Sequence, residues 1–361
     1  MALDRITLSH FRNHAETRLD DARIFNLLVG ENGAGKTNIL EALSLFAAGR
    51  GLRRAVLAEM AGNQGAGGLS VGASLVSDAH PEPVRLGTYT EPHRPNRRLV
   101  RINGGESSAV GLGEWLSIGW LTPAMDRLFA DSAGARRRFV DRMALALDPL
   151  HARHASRYEN ALRERNRLLG DDAEPDPTWL DGIETQMAEH GAALAAGRAA
   201  VISKIMEELA IIPAEPFARP ALSYAAGGPI IGADFAAALR ANREQDRRAS
   251  RTLIGPHRDE LVVLMEGKGA AAASCSTGEQ KAMLIAIVIA HANLAARGRP
   301  NVLLLDEVAA HLDPVRRGAL FERLRESGAQ IWLTGTEIKP FEPIENEAAI
   351  WRVKDGSIER L

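Results

Sequence analysis

Cysteine is almost missing from this chain: Cys275 stands alone in 361 residues. That excludes an intramolecular disulfide and any metal site built from cysteines. Long apolar runs are missing too. No stretch reaches the roughly 18 consecutive apolar residues of a membrane-spanning helix. The first residues, Met1–Ile6, mix polar and apolar side chains where a secretory leader would need an apolar core. The expectation is a soluble, cytoplasmic protein. Neither charge sign dominates, because 44 Lys and Arg face 46 Asp and Glu for a formal net charge of −2. Any binding to a polyanion must therefore come from local arginine patches rather than the overall field. Aromatics make up only 5%, and the five tryptophans are scattered, so they read as packing rather than as base-stacking platforms.

The residues that are present suit a globular protein with a real core, 45% hydrophobic and 25% charged, long enough for one large domain and a smaller one. Ile24 to Val29 is an apolar run closed by Gly30, the form of a buried strand, and Thr37 to Phe46 follows with helical spacing. Residues 69–102 alternate as short strands, with an Asn103-Gly104-Gly105 turn after them. From about Thr122 the character changes. Arg136 to Ala146, Pro149 to Leu169, Trp179 to Ile212 and Phe235 to Arg248 are rich in Ala, Leu, Arg and Glu at helical periodicity. Strands are expected again at Leu261 to Met265, Asn301 to Leu305, Gln330 to Thr334 and Ala349 to Val353, with helices at Gly278 to Ala296 and Pro314 to Arg325. The expected division is 1–122 plus 251–361 as a split α/β head and 123–250 as a helical insertion.

Three segments carry chemistry. Gly30-Glu31-Asn32-Gly33-Ala34-Gly35-Lys36-Thr37, with Asn38 after it, matches G-x-x-x-x-G-K-[ST] between a strand and a helix. Its glycines let backbone N–H groups converge on phosphate oxygens at a helix N-terminus. Lys36 would reach the β- and γ-phosphates of ATP, and Thr37 would ligate Mg²⁺. The run Leu303-Leu304-Leu305-Asp306-Glu307 would place Asp306 at a strand's C-terminal end, holding the same Mg²⁺ through water, with Glu307 orienting or deprotonating the attacking water. Ser276-Thr277-Gly278-Glu279-Gln280-Lys281 opens the helix before that strand. It reads either as a second phosphate-facing helix start or as a plain helix cap. Leu312-Asp313 follows as a candidate interface loop.

In this order the three segments resemble an ABC-type ATPase whose head is split by an insertion, as in SMC-like proteins. The resemblance narrows to the RecF family of DNA replication and repair proteins. It is carried further by Leu8, Phe11-Arg12-Asn13, Gly49-Arg50-Gly51-Leu52-Arg53, Arg136-Arg137-Arg138-Phe139-Val140-Asp141 and Gly255-Pro256-His257-Arg258-Asp259. It implies an ABC-type P-loop head, a mixed sheet with flanking helices, carrying an inserted, mainly helical domain. It also implies an ATP-dependent homodimer in which Ser276, Gly278, Glu279 and Gln280 of one copy contact the nucleotide of the other. DNA binding at gaps, RecO- and RecR-like mediators and loading of a RecA-like recombinase follow from the same resemblance. By analogy, Arg12 would touch the nucleotide.

Two departures from ABC proteins stand out. No histidine follows the strand at Gln330 to Leu333, where Thr334 and Thr336 stand, and no clear glutamine loop precedes the insertion. Slow hydrolysis is therefore expected, with ATP acting as a dimer switch. Arginine clusters read mostly as solvated faces or ion pairs, with Arg136, Arg137 and Arg138 the best placed for DNA phosphate. His257 reads as a turn residue and Cys275 as a space-filler. Two alternatives remain. An SMC-like structural head with a coiled-coil insertion would have arms of about 60 residues, at most about 90 Å long, with prolines interrupting them. A transporter ATPase would want a switch histidine and no large insertion.

Overall fold

A computed structural model of the chain describes residues 2–62, 68–77, 80–171, 173, 175–229, 232–309 and 312–361. The residues group into two compact units: Met1–Asp126, Ile212–Ala218 and Lys281–Leu361 form the first, and Arg127–Ile211 with Arg219–Gln280 the second.

The first unit is α/β. Its central sheet runs in the order Ser357–Arg360, Ala348–Lys354, Phe25–Val29, Gln330–Gly335, Asn301–Leu305, Ser117–Leu121. The last five are mutually parallel, and Ser357–Arg360 returns antiparallel at the edge. Phe25–Val29, Asn301–Leu305 and Gln330–Gly335 are buried at every position, the signature of parallel strands covered on both faces. A second, wholly antiparallel sheet orders His14–Leu19, Leu3–Phe11, Ser70–Ser77, His80–Glu91, Arg94–Ile102 and Gly105–Ser107. Side chains of both sheets meet in one core that includes Leu8, Phe11, Phe46, Val71 and Trp332. Trp332 and Trp351 stack there with centroids 5.6 Å apart, as expected of tryptophans used for packing.

The second unit is mainly helical: Ala133–Leu147, His151–Leu169, Pro177–Ile211, Gly232–Ala241 and Arg243–Arg248. The one helix expected over 235–248 is two, broken at Asn242, whose side-chain amide bonds back to Ala238 O at 2.8 Å. Residues 251–280, expected with the head, group here instead. The reason is a strand hidden in the Pro/Gly-rich passage: Pro220–Ala225 pairs antiparallel with Glu260–Met265, from Glu260 opposite Ala225 to Met265 opposite Pro220.

Buried charge locks this unit. Arg198 donates to both oxygens of Asp141 (2.7 and 2.8 Å), to Asp259 Oδ2 (2.8 Å) and to Pro256 O (2.6 Å). Arg165 is fully buried and reaches Glu184, Asp246, Thr252 and Leu239 O. Burial alone would raise the pKa of Asp141, but hydrogen bonds from His151 and Arg198 outweigh it and hold that carboxyl below its usual range. A depressed folded pKa contributes stability above the unfolded value near about 4 and loses it as pH falls through the folded one. The urea midpoint is therefore expected to drop between about pH 5 and pH 2, and Asp141→Asn should flatten that dependence.

Candidate functional site

Strand order assembles the site in the first unit. Phe25–Val29, Gln330–Gly335 and Asn301–Leu305 are adjacent and parallel, so their C-terminal ends deliver three groups to one edge, where such sheets hold ligands. The glycine-rich loop leaves the first strand, Thr334 ends the middle one, and Asp306 and Glu307 leave the third.

The loop runs into the helix Lys36–Ser44, with Gly35 before it at φ 115°. A Cβ at Gly35 would meet the side chains of Asn13 and His14 at 2.8 Å, so both backbone angle and space demand glycine. Asn13 Nδ2 donates to Ala34 O (3.0 Å), Asn38 Nδ2 donates to Asn13 Oδ1 (2.7 Å), and His14 Nε2 lies 3.1 Å from Gly35 O. The loop is thus held from below by residues 13 and 14. Glu31, Asn32 and Gly33 face solvent. Lys36 is 4% exposed, and its ammonium donates to Gly30 O (2.6 Å) and Glu31 O (2.8 Å). Burial lowers its pKa, opposed by Glu307 and Asp306, which suits a cation awaiting an anionic ligand. A cavity of about 720 Å³ opens beside the loop, between Gly30–Ala34, Thr336–Ile338 and Arg352–Asp355, a size that fits a nucleotide.

Thr37 Oγ1 donates to Asp306, at 2.9 and 3.1 Å from its two oxygens. Thr334 Oγ1 donates to Asp306 Oδ1 (2.8 Å) and accepts the Glu307 N–H (2.9 Å). Glu307 has φ 54°, uncommon for a residue with a side chain; its N–H is fixed by that threonine. Among the described residues, no cluster of three or more His, Cys, Asp or Glu forms a protein-only metal cage. A hydroxyl and a carboxylate beside a phosphate loop instead suit Mg²⁺, which takes few protein oxygens and completes its shell with phosphate and water. The bridging role of Thr334 has no mark in the sequence, where the residue stands out only because a histidine is missing there. Knowing that its strand lies between the other two is what reveals it.

Arg12 packs against the helix that follows the loop. Its guanidinium forks onto Glu41 (both 2.9 Å) and donates to Glu59 O (2.8 Å). Arg53 joins the same buried carboxylate at 3.0 Å and reaches Asn38 Oδ1 at 2.7 Å. The sequence segments around Arg12 and Arg53 thus share one counter-ion.

The Ser276–Gln280 segment lies in the second unit and begins the helix Thr277–Ala296. Ser276 N and Oγ donate to Glu279 Oε2 (2.9 and 3.0 Å), and Glu279 N reaches back to Ser276 Oγ at 3.4 Å, a reciprocal capping box. Lys268 also bonds Glu279. With Ser276 these contacts bring the Glu279 pKa down to about 2. Gln280 Nε2 donates to Cys275 O at 2.9 Å. Gly278 has no such local duty: it is exposed, and a Cβ there would meet nothing within 4 Å. Asp313 caps the helix Pro314–Glu326, accepting from Arg316 N at 3.0 Å.

The arginine patch is largely internal. Arg136 forks onto Glu260 (2.6 and 2.7 Å) and also donates to Phe129 O and Asp131 O; the Glu260 bonds raise its pKa. Arg137 donates to Asp259 O at 2.9 Å. Arg138 is the exposed member. Of the three candidate DNA contacts, Arg136 and Arg137 hold the unit together because the strand Glu260–Met265 packs beside their helix, an arrangement invisible without the fold. His257 lies in the turn Pro256–Arg258 and joins Tyr158 OH (2.8 Å) and Thr252 O (2.9 Å). Cys275 is half-buried, its thiol 3.6 Å from Ala271 O.

Comparison with known proteins agrees with this architecture. The family described as the RecF/RecN/SMC N-terminal domain matches residues 2–359. The DNA replication and repair protein RecF of Mesorhizobium japonicum is 43% identical, covering 99% of this chain and 97% of its own. Its namesake from Brucella suis biovar 1 is also 43% identical, over 99% and 96%. Among solved structures, the recombination mediator protein RecF with ATPrS superposes with a TM-score of 0.87 at 20% identity, covering 99% and 98% of the two chains. The Smc head domain of Pyrococcus furiosus, bound to the C-terminal domain of ScpA, gives 0.56 at 15%, covering 100% and 96%; at these identities both speak to the fold. With an ABC-type head, an inserted second unit and 43% identity along nearly its whole length, the chain belongs to the RecF family.

Proposed function

We propose that this chain is an ATP-dependent, DNA-binding recombinational repair protein whose ATP-bound form is a homodimer. The observation that carries the nucleotide part is the convergence of Lys36, Thr37, Asp306 and Thr334 at one strand edge. Lys36 exchanges its two carbonyl partners for the β- and γ-phosphates, and the loop's N–H groups and helix dipole hold the remaining charge. Thr37 and Asp306 would hold Mg²⁺, which would supply charge neutralisation at the phosphates. Glu307 orients water, its backbone fixed by Thr334. A threonine in place of a switch histidine supports slow hydrolysis, with ATP acting as a switch of assembly.

Gly278 supports the dimer. Among the described residues none lies within 4 Å of a Cβ built there, and a side chain would stand between the helix start and any phosphate approaching from a second copy. Action at gapped DNA with RecO- and RecR-like mediators, to help load a RecA-like recombinase, rests on kinship with proteins named for DNA replication and repair. The SMC-like structural reading is less well supported. The longest helix of the second unit has 35 residues, about 50 Å, and packs within that unit's own core. Among the described residues no helix is long and apolar enough to cross a membrane.

Sedimentation velocity with and without ATP, and with gapped DNA added, tests the proposal: ATP should convert monomer to dimer and raise DNA affinity, and an ATP-indifferent monomer contradicts it. Thr334→Val is expected to leave ATP affinity within about twofold while turnover falls about ten- to a hundredfold, through misplacement of Asp306 and Glu307. Thr334→Ser should restore it. Single-turnover hydrolysis beside equilibrium binding separates the two.

A further inference from the structure

Two imidazoles of the second unit face each other across the helices His151–Leu169 and Pro177–Ile211. His154 Nδ1 lies 3.3 Å from His190 Nδ1, with the ring planes inclined at 56°. His190 is 6% exposed and His154 is half-buried, so the pair opens to solvent on one side. That separation is at the outer limit of an N–H hydrogen bond. It matches the spacing of two ligands on one ion. With metal–nitrogen bonds of about 2.0–2.1 Å, nitrogens this far apart subtend roughly 105–110° at the metal, close to the tetrahedral angle.

We propose that His154 and His190 bind one divalent transition-metal ion of the Zn²⁺, Ni²⁺ or Cu²⁺ class, clipping the two helices together. Imidazole nitrogens select this class over Mg²⁺, which prefers oxygen. Burial holds the His190 pKa below its ordinary value, so the ring is neutral and its lone pair available at neutral pH. Binding through both Nδ1 atoms places each ring's proton on Nε2, so the ring that donates in the metal-free contact changes tautomer with no net change in charge. Glu189 Oε1, 3.8 Å from the same His190 nitrogen, offsets the opposing charges of Arg153 and Arg157. No third His, Cys, Asp or Glu among the described residues closes the site. Water fills the remaining positions, and the ion is exchangeable rather than a permanent part of the fold.

The test uses the full chain stripped with chelator, titrated with NiCl₂ by calorimetry and with CuCl₂ by electron paramagnetic resonance. Wild type should bind one Ni²⁺ more than His154→Phe, and its Cu²⁺ signal should carry nitrogen hyperfine structure from two imidazoles. His154→Phe preserves ring volume, and His154→Ala serves as a second variant should the first melt early. Ions taken up at the nucleotide site appear equally in all three proteins and cancel. Loss of the extra site with at least a tenfold fall in affinity supports the proposal; the same stoichiometry and affinity in wild type and both variants overturns it.

Discussion

Lys36→Ala is expected to weaken ATP binding by at least about a hundredfold and to abolish nucleotide-driven dimerisation. The ammonium is buried and holds Gly30 O and Glu31 O, so it is already desolvated before ATP arrives. Exchanging those carbonyls for phosphate oxygens replaces neutral acceptors with charged ones, worth about 1.5–3 kcal/mol per bond. Two such bonds lost amount to a factor of about 10² or more. Fluorescence titration with a labelled ATP analogue reads the affinity, and sedimentation reads the assembly. The fold should persist, since the loop retains its bonds from Asn13 and the Gly356 N–H.

The second large effect is on stability. Arg198→Ala is expected to cost about 3–5 kcal/mol, because it leaves Asp141 and Asp259 without their buried cation. Asp259 is 1% exposed and, among the described residues, would keep Tyr224 OH and Gly227 N as donors. Arg248 offers the contrast: its pair with Glu244 is solvent-exposed, one helical turn apart, and Arg248→Ala should change stability by less than about 0.5 kcal/mol. Urea unfolding of both variants against wild type measures the difference, which should shift the Arg198→Ala midpoint and leave that of Arg248→Ala nearly unchanged.

These two residues show how far the amino-acid order could be read. Lys36 announces itself because its chemistry is local: a strand, a glycine turn and a helix within a dozen residues. Asn301–Leu305 and the helix Pro177–Ile211 were legible within two residues for the same reason, uniform apolar runs and unbroken periodicity. Arg198 carried no such mark, for its partners lie at positions 141, 256 and 259. The pairing of Arg136 with Glu260 is hidden for the same cause, the two lying 124 residues apart. Pro220–Ala225 was hidden because its composition is that of a loop, and only pairing with Glu260–Met265 makes it a strand. That one pairing also moves the boundary of the second unit. Thr334 falls between these cases: the residue was noticed, but its function depends on which strands are neighbours. Periodicity fixes elements, whereas long-range charge pairing and strand order are properties of the folded chain.

The proposed switch requires that Ser276 and Gly278 of one copy meet the nucleotide held by another. Sedimentation velocity of Ser276→Arg, alone and mixed with Lys36→Ala in saturating ATP, tests this directly. Each variant alone should remain monomeric, and the mixture should dimerise, because one Lys36→Ala signature turn can still close over one Ser276→Arg nucleotide. Should Ser276→Arg dimerise by itself as wild type does, the nucleotide is not gripped between two copies and the account fails.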